Sequence, residues 1–516
     1  MPRYGTCPAL ILMALAMHAV GGPPARITVV DAATSRGVPL IELTTTGGIT
    51  LVTDSAGVVA FDEPGLMDTD VFFHVRGHGY EFPPDGFGFA GARVRTTPGS
   101  RVTLQVRRIN IAQRLYRVTG GGIYRDSERV GDHPPLPSNP LNGGVIGQDS
   151  VQTVFHRGRL LWIWGDTNRA SYPLGNFSAS GAWSRLPADG GMDPDAGVQL
   201  TYFVGDDGFS RPMCPIPGQP GPVWLDGLLT TKDPEGNERL LCHFVRVKTL
   251  EQMHEQGFAV YNDDRDIFEP ISRFPTDAIL SMRSHPVLHS HPRTDGSGED
   301  SYWYFPSPFP IVRCRDEWSL LTDVSAYEAY TCLRPGARMP PDGNVLTADL
   351  VERDDSGRVV YAWKRDTAPV LQKDQSRLIA GGLLRPEEAL IQLRDAATGK
   401  PVIGHSGSVF WNDHLGAWLM ITQELWGTSL AGEVWFASAP ALTGPWRDAV
   451  KIVTHDDYTF YNVKHHPYFD QEGGRLIYFE GTYTTAFSGA KRPTPRYDYN
   501  QVMYRLDLSD PRLHGR

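Results

Sequence analysis

The chain reads as all-β: an N-terminal antiparallel β-sandwich followed by a five-bladed β-propeller. Three observations lead there. Glycine (54) and proline (41) punctuate short apolar runs, and only 21% of the 516 residues are charged. Three stretches also share one plan: Gly147–Thr167, His405–Glu424 and His465–Gly481. Each opens on a polar residue, runs through an apolar strand into a turn, and returns through a second apolar strand to an acidic residue. Antiparallel pairing lays the start of the first strand beside the end of the second. Radially packed hairpins of this kind would gather those polar ends at one axial mouth.

The first 24 residues read as an export signal: Arg3, an apolar stretch from Ala9 to Met17, then the small residues Ala19-Val20-Gly21-Gly22. That stretch is far short of the ~20 residues that cross a bilayer. Export to the periplasm, cell surface or medium is therefore expected, with no membrane span. A net charge of −10 gives no footprint for nucleic acid. Beyond the signal, Cys214, Cys242, Cys314 and Cys332 allow either two disulfides, Cys314–Cys332 being the most local, or four buried thiols.

Residues 25–112 contain short runs, such as Ile27-Thr28-Val29-Val30 and Val71-Phe72-Phe73-His74-Val75, at the spacing of a small sandwich. Residues 113–142, with Gly120-Gly121-Gly122 and Pro134-Pro135-Leu136-Pro137, read as a linker, and 143–510 as the propeller. Blades are expected to open near Gly144, Val223, Ser284, Gly404 and His465. Pro340–Lys400 reads as an irregular insertion with a short helix near Arg385.

Two phrases carry family resemblances. Val30-Asp31-Ala32-Ala33-Thr34-Ser35-Arg36-Gly37-Val38-Pro39, followed by Thr53-Asp54-Ser55-Ala56-Gly57-Val58, resembles the carboxypeptidase regulatory-like (transthyretin-like) domain. That resemblance implies an accessory module. Asp149, the return Leu161-Trp162-Ile163-Trp164-Gly165-Asp166-Thr167, and Ala439-Pro440-Ala441-Leu442-Thr443-Gly444-Pro445-Trp446 resemble five-bladed propeller glycosidases. More narrowly, they resemble a bacterial propeller family that includes endo-acting arabinan hydrolases. The resemblance implies a carboxylate base or nucleophile on the first blade, matched by Asp149, and a Glu acid from a middle blade. No middle-blade Glu matches: the second and third units offer Asp226, His243 and His285, the fourth Glu424 and the fifth Glu480.

Glycoside cleavage needs one protonated and one ionised carboxyl, and crowding two carboxylates pushes their pKa values apart. Asp149 is expected as base or nucleophile, Asp166 as its partner, and Glu424 or Glu480 as the acid. Asp226, His285, His405, His465, His466, Tyr483 and Arg496 are expected to bind substrate. The four histidines could also hold a metal ion on the axis, though no cofactor is required. The expected partner is a polysaccharide or oligosaccharide. Two alternatives use the same residues: a noncatalytic glycan-binding surface protein, and a polysaccharide lyase with a His or Tyr base.

Overall fold

The computed structural model describes residues 22–136, 141–218, 221–249, 252–293 and 295–514. The expected export signal falls almost wholly on residues outside these. The chain is nearly all β, and no described helix is long and apolar enough to cross a membrane.

The N-terminal unit is two four-stranded sheets. One orders Val58–Phe61, Ala25–Asp31, Arg101–Arg108 and Tyr80–Glu81; the other orders Thr50–Val52, Glu42–Thr45, Asp70–Arg76 and Gly91–Arg95. They share one core, with Ile27, Val29 and Phe61 from the first against Leu43, Phe73 and Val75 from the second. The expected purely antiparallel pairing needs correction: Ala25–Asp31 runs parallel to Arg101–Arg108. These are the first and last long strands of the unit, so no tight hairpin dictates their sense.

Six sheets follow: a small one ordering Val145–Gln148, Thr167–Arg169 and Tyr172–Asn176, and five larger ones, the first to the fifth in chain order, with the inner strands Gln152–His156, Val223–Lys232, Val287–Pro292, Gly404–Asn412 and Thr459–His465. Their strands alternate side chains between two buried faces, which explains the continuous apolar runs. In the first sheet Leu161 and Ile163 face the second sheet's Leu225 and Phe244, while Leu160 and Trp162 face the fifth sheet's Tyr478 and Met503. Leu241 and Phe258 pack toward Cys314 and Ala329 of the third sheet. Tyr304 packs toward Trp418 and Met420 of the fourth. Leu419 and Ile421 pack toward Phe460 and Phe479 of the fifth. Each neighbouring pair thus shares a core, and the order closes from the fifth sheet to the first.

The closing sheet corrects the expected linker. Gln113–Arg117 is a strand paired with Asn500–Asp507, filling the outer edge of the fifth sheet. Its polar ends are satisfied by tertiary partners that local sequence does not show. Arg114 is wholly buried, giving its guanidinium to Tyr504 Oη at 3.0 Å and to the carbonyls of Pro39 (3.0 Å), Leu40 and His78. It therefore ties the N-terminal unit to the ring. Farther along, the insertion holds a helix at Gln372–Ala380, whereas the stretch after Arg385 makes only a single 3-10 turn at Pro386–Glu388. The four cysteines are buried free thiols, so the two-disulfide option, Cys314–Cys332 included, does not occur.

Candidate functional site

Every inner strand carries the same backbone feature, either just before it or within it. Ser150 (φ 57°) and Ser284 (50°), just before their strands, and Gly227 (66°), Ser406 (52°) and Asn462 (52°), within theirs, all lie in the left-handed region. A non-glycine residue there costs about 1 kcal/mol, and such residues persist where the surroundings over-determine them. Ladder irregularities accompany three of them, at Asp226/Leu229, His405/Gly407 and Tyr461/Lys464. Bulges of this kind re-aim side chains. Asn462 Nδ2 donates to Ser150 Oγ at 2.6 Å, Ser406 Oγ donates to Asn462 Oδ1 at 3.2 Å, and Gly227 N–H donates to Ser284 O at 2.9 Å. The inner strands are thereby stitched together at one depth.

At that depth lies a cavity of about 320 Å³ lined from all five sheets, by Asp149, Trp224, Asp226, His285, Ser406 and Asn462 among others. Antiparallel pairing sets Asp149 beside Asp166: Asp149 N–H donates to Asp166 O at 3.3 Å, and Gly165 N–H donates to Asp149 O at 2.8 Å. Tyr461 donates its hydroxyl to Asp149 Oδ2 at 2.6 Å, while Asp149 Oδ1 is buried without a partner. Burial raises the Asp149 pKa against the opposing hydrogen bonds of Tyr461 and Tyr499. Asp166 accepts from Trp224 Nε1 at 2.8 Å. Burial and then the neighbouring Asp149 charge push Asp166 up to about 6, against that indole hydrogen bond.

Asp226 has the opposite environment. Its Oδ1 lies 2.6 Å from His243 Nδ1, and its Oδ2 accepts from Ser284 N–H at 3.3 Å. Burial alone would raise its pKa, but His243, Arg283 and the Ser284 amide together hold it below the ordinary value. The cavity therefore offers one carboxylate biased toward ionisation, Asp226, and one biased toward the proton, Asp149; Asp166 does not line it but sits behind Asp149, bonded to the lining Trp224.

The other expected site residues lie elsewhere. The inner strand of the fifth sheet is Thr459–His465, so His465 and His466 stand at its far end and do not open it. The following Pro467–Phe469 and Glu472–Gly474 turns, not a strand, occupy the stretch after them. Glu480 is fully buried, 3.1 Å from His466 Nε2, and His465 bonds Asp470 at 2.8 Å. His405 is exposed beside the cavity-lining Ser406. Glu424 is half-buried, accepts from Trp435 Nε1 at 2.8 Å, and does not line the cavity. Tyr483 is buried, stacked on Tyr458 at 4.0 Å. Arg496 pairs with Asp126 at 2.9 Å. Of the four histidines only His285 lines the cavity, so they do not form one metal shell. Among the described residues no group of three or more His, Cys, Asp or Glu is arranged to hold a metal ion. Tyr461 and Trp224 gained no role from sequence, because their partners lie in other sheets.

No family model matches the chain, and no curated protein matches it. Among solved structures, it is similar to an exo-β-1,3-galactanase from Phanerochaete chrysosporium with galactose, at 9% identity and TM-score 0.36, covering 77% of this chain and 65% of that one. The chain thus spans just under two thirds of that enzyme's length. A GH43 enzyme from Xanthomonas citri complexed with xylotriose is similar at 10% identity and TM-score 0.33, covering 72% and 88%. A thermostable family-43 glycoside hydrolase is similar at 9% identity and TM-score 0.30, covering 72% and 92%. These values lie below the level at which function transfers.

Proposed function

We propose that the chain is an exported glycoside hydrolase acting on a polysaccharide, built as a five-bladed β-propeller behind a carboxypeptidase regulatory-like sandwich. The propeller reading draws on the closed order of shared cores. The functional reading rests on one observation: carboxyls of opposite protonation bias, Asp226 and Asp149, line one cavity, with Asp166 set behind Asp149 and bonded to the cavity-lining Trp224.

Hydrolysis of a glycosidic bond adds water across the C–O bond. One carboxylic acid protonates the departing oxygen, and one carboxylate attacks the anomeric carbon or takes a proton from the attacking water. Divergent environments make that assignment. In this reading Asp226, kept ionised by His243 and Ser284, is the carboxylate, and the Asp149–Asp166 pair supplies the proton. This revises the role expected for Asp149 as base. Tyr461 orients Asp149 and Trp224 orients Asp166. Of the lyase alternative's candidate bases His285 lines the cavity, whereas Tyr483, His465 and His466 do not.

The test is digestion of a glycan panel read both by reducing ends and by ultraviolet absorbance. Reducing ends without absorbance support hydrolysis. An unsaturated, absorbing product would make the protein a lyase, and glycan binding without cleavage would make it a binder.

A further inference from the structure

Strand direction fixes where each sheet's connection between its second and third strands emerges. The inner strands enter from the cavity end, so each antiparallel second strand finishes there. Gly404 lies opposite Glu424, Thr459 opposite Thr484, and Gln152 opposite Ile163. The chain following Glu424, Thr484 and Trp164 therefore leaves at the end of the ring that holds the cavity. These fourth, fifth and first sheets are consecutive around the ring, because the fifth closes on the first.

Each of the three connections carries an aromatic ring out into solvent. Trp426 is 72% exposed, Phe487 59% and Tyr172, in the small sheet, 63%. Trp426 (φ 66°) and Phe487 (φ 59°) also lie in the left-handed region, which is rare for bulky side chains. Hydrogen bonds lock both there. Trp426 N–H donates to Leu430 O at 3.1 Å, and Thr428 gives its N–H and hydroxyl to the buried Glu433 at 2.9 and 2.7 Å. Thr485 N–H donates to Asp498 Oδ1 at 2.6 Å, and Ser488 N–H to Thr485 O at 3.1 Å. Backbone strain maintained in this way, for rings that pack little of their surface, points to a ligand. Phe487 also reaches the site: its ring meets Tyr461 edge-on at 6.4 Å, and Tyr461 holds Asp149 at 2.6 Å.

We propose that Phe487 and Trp426 stack on sugar rings and extend the axial cavity into a polysaccharide-binding rim. Resting on the glycosidase reading, this gives the substrate a course. The cavity, at about 320 Å³, is at the small end of ligand pockets and holds only part of a chain. The remainder runs out past Phe487 over the fourth and fifth sheets, laying its C–H faces on the exposed rings.

The test is retardation of the full Asp149→Asn chain in native gels cast with debranched arabinan, β-1,3-galactan or xylan. At least one polysaccharide should retard it. Adding Phe487→Ala or Trp426→Ala should weaken that binding on the order of tenfold, and Phe487→Tyr, which keeps the ring, should preserve it. Both side chains are exposed, so their removal spares the fold. Retardation unchanged in both alanine variants overturns the rim and leaves the glycosidase reading standing. Retardation absent from all three gels also overturns the rim, and cleavage of the glycan panel by the wild type then decides the glycosidase reading separately. Self-association that Phe487→Ala abolishes, without retardation, would give the rim to a second copy of the chain instead.

Discussion

The indole of Trp224 donates to Asp166 Oδ1 at 2.8 Å, so a side chain of the second sheet holds a carboxylate of the first. The contact favours the ionised carboxyl, yet burial still lifts it from 3.8 to about 6. Because the folded value lies above the unfolded one, the fold prefers the proton. Stability contributed by Asp166 is present below 3.8 and is lost as pH rises to about 6. Trp224→Phe removes the opposing hydrogen bond. The Asp166 midpoint should rise by roughly one to two units, and the pH-dependent loss of stability should extend upward with it. Carboxyl NMR of aspartate-labelled protein reads the midpoint directly.

Gly165 faces Asp149 so closely that a Cβ there would lie 2.2 Å from Asp149 Oδ1. Gly165→Ala should therefore displace the carboxyl while leaving the ring folded. A displacement near 1 Å costs on the order of 100-fold in turnover. Kinetics should show the loss in kcat, with far-ultraviolet circular dichroism unchanged.

Glu480 is an internal residue on this account. Burial raises its carboxyl to about 8 against the attraction of Lys464. The stability it contributes is present below its ordinary value and lost as pH rises through about 8. Glu480→Gln removes that loss, so the variant should gain on the wild type between pH 5 and 8 in denaturant titrations. Its turnover should stay within a few fold, whereas loss of a general acid costs about 100-fold or more.

Arg114 predicts how the two units melt. Its guanidinium reaches three carbonyls of the N-terminal unit and the hydroxyl of Tyr504. Arg114→Met leaves those buried acceptors without a donor and should destabilise the chain by about 3 kcal/mol. Calorimetry should show the N-terminal unit melting ahead of the ring.

Local pairing made part of this site legible from sequence. Asp149 and Asp166 close one hairpin, and Asp226 and His243 are directly opposed in another, so apolar runs and turns suffice to bring them together. The fifth sheet misled because Thr459-Phe460-Tyr461-Asn462 is the strand opening, while the more conspicuous His465-His466-Pro467 ends the strand. Reading one strand late moved Glu480 from between two sheets to a mouth it does not reach. The left-handed Ser150, Ser284, Ser406 and Asn462 leave no compositional trace, since serine and asparagine at a strand opening fit many conformations. Tyr461 and Trp224 act across sheet boundaries, and Arg114 acts across the whole chain. Such partners follow only from the closed order of the sheets.

The most direct test of the central claim is turnover of Asp149→Asn beside Glu480→Gln on whichever glycan the wild type cleaves. A site at the axial cavity predicts that Asp149→Asn loses about 100- to 10,000-fold, while Glu480→Gln keeps nearly all activity. Full activity in Asp149→Asn, or collapse in Glu480→Gln with the fold intact, would contradict it.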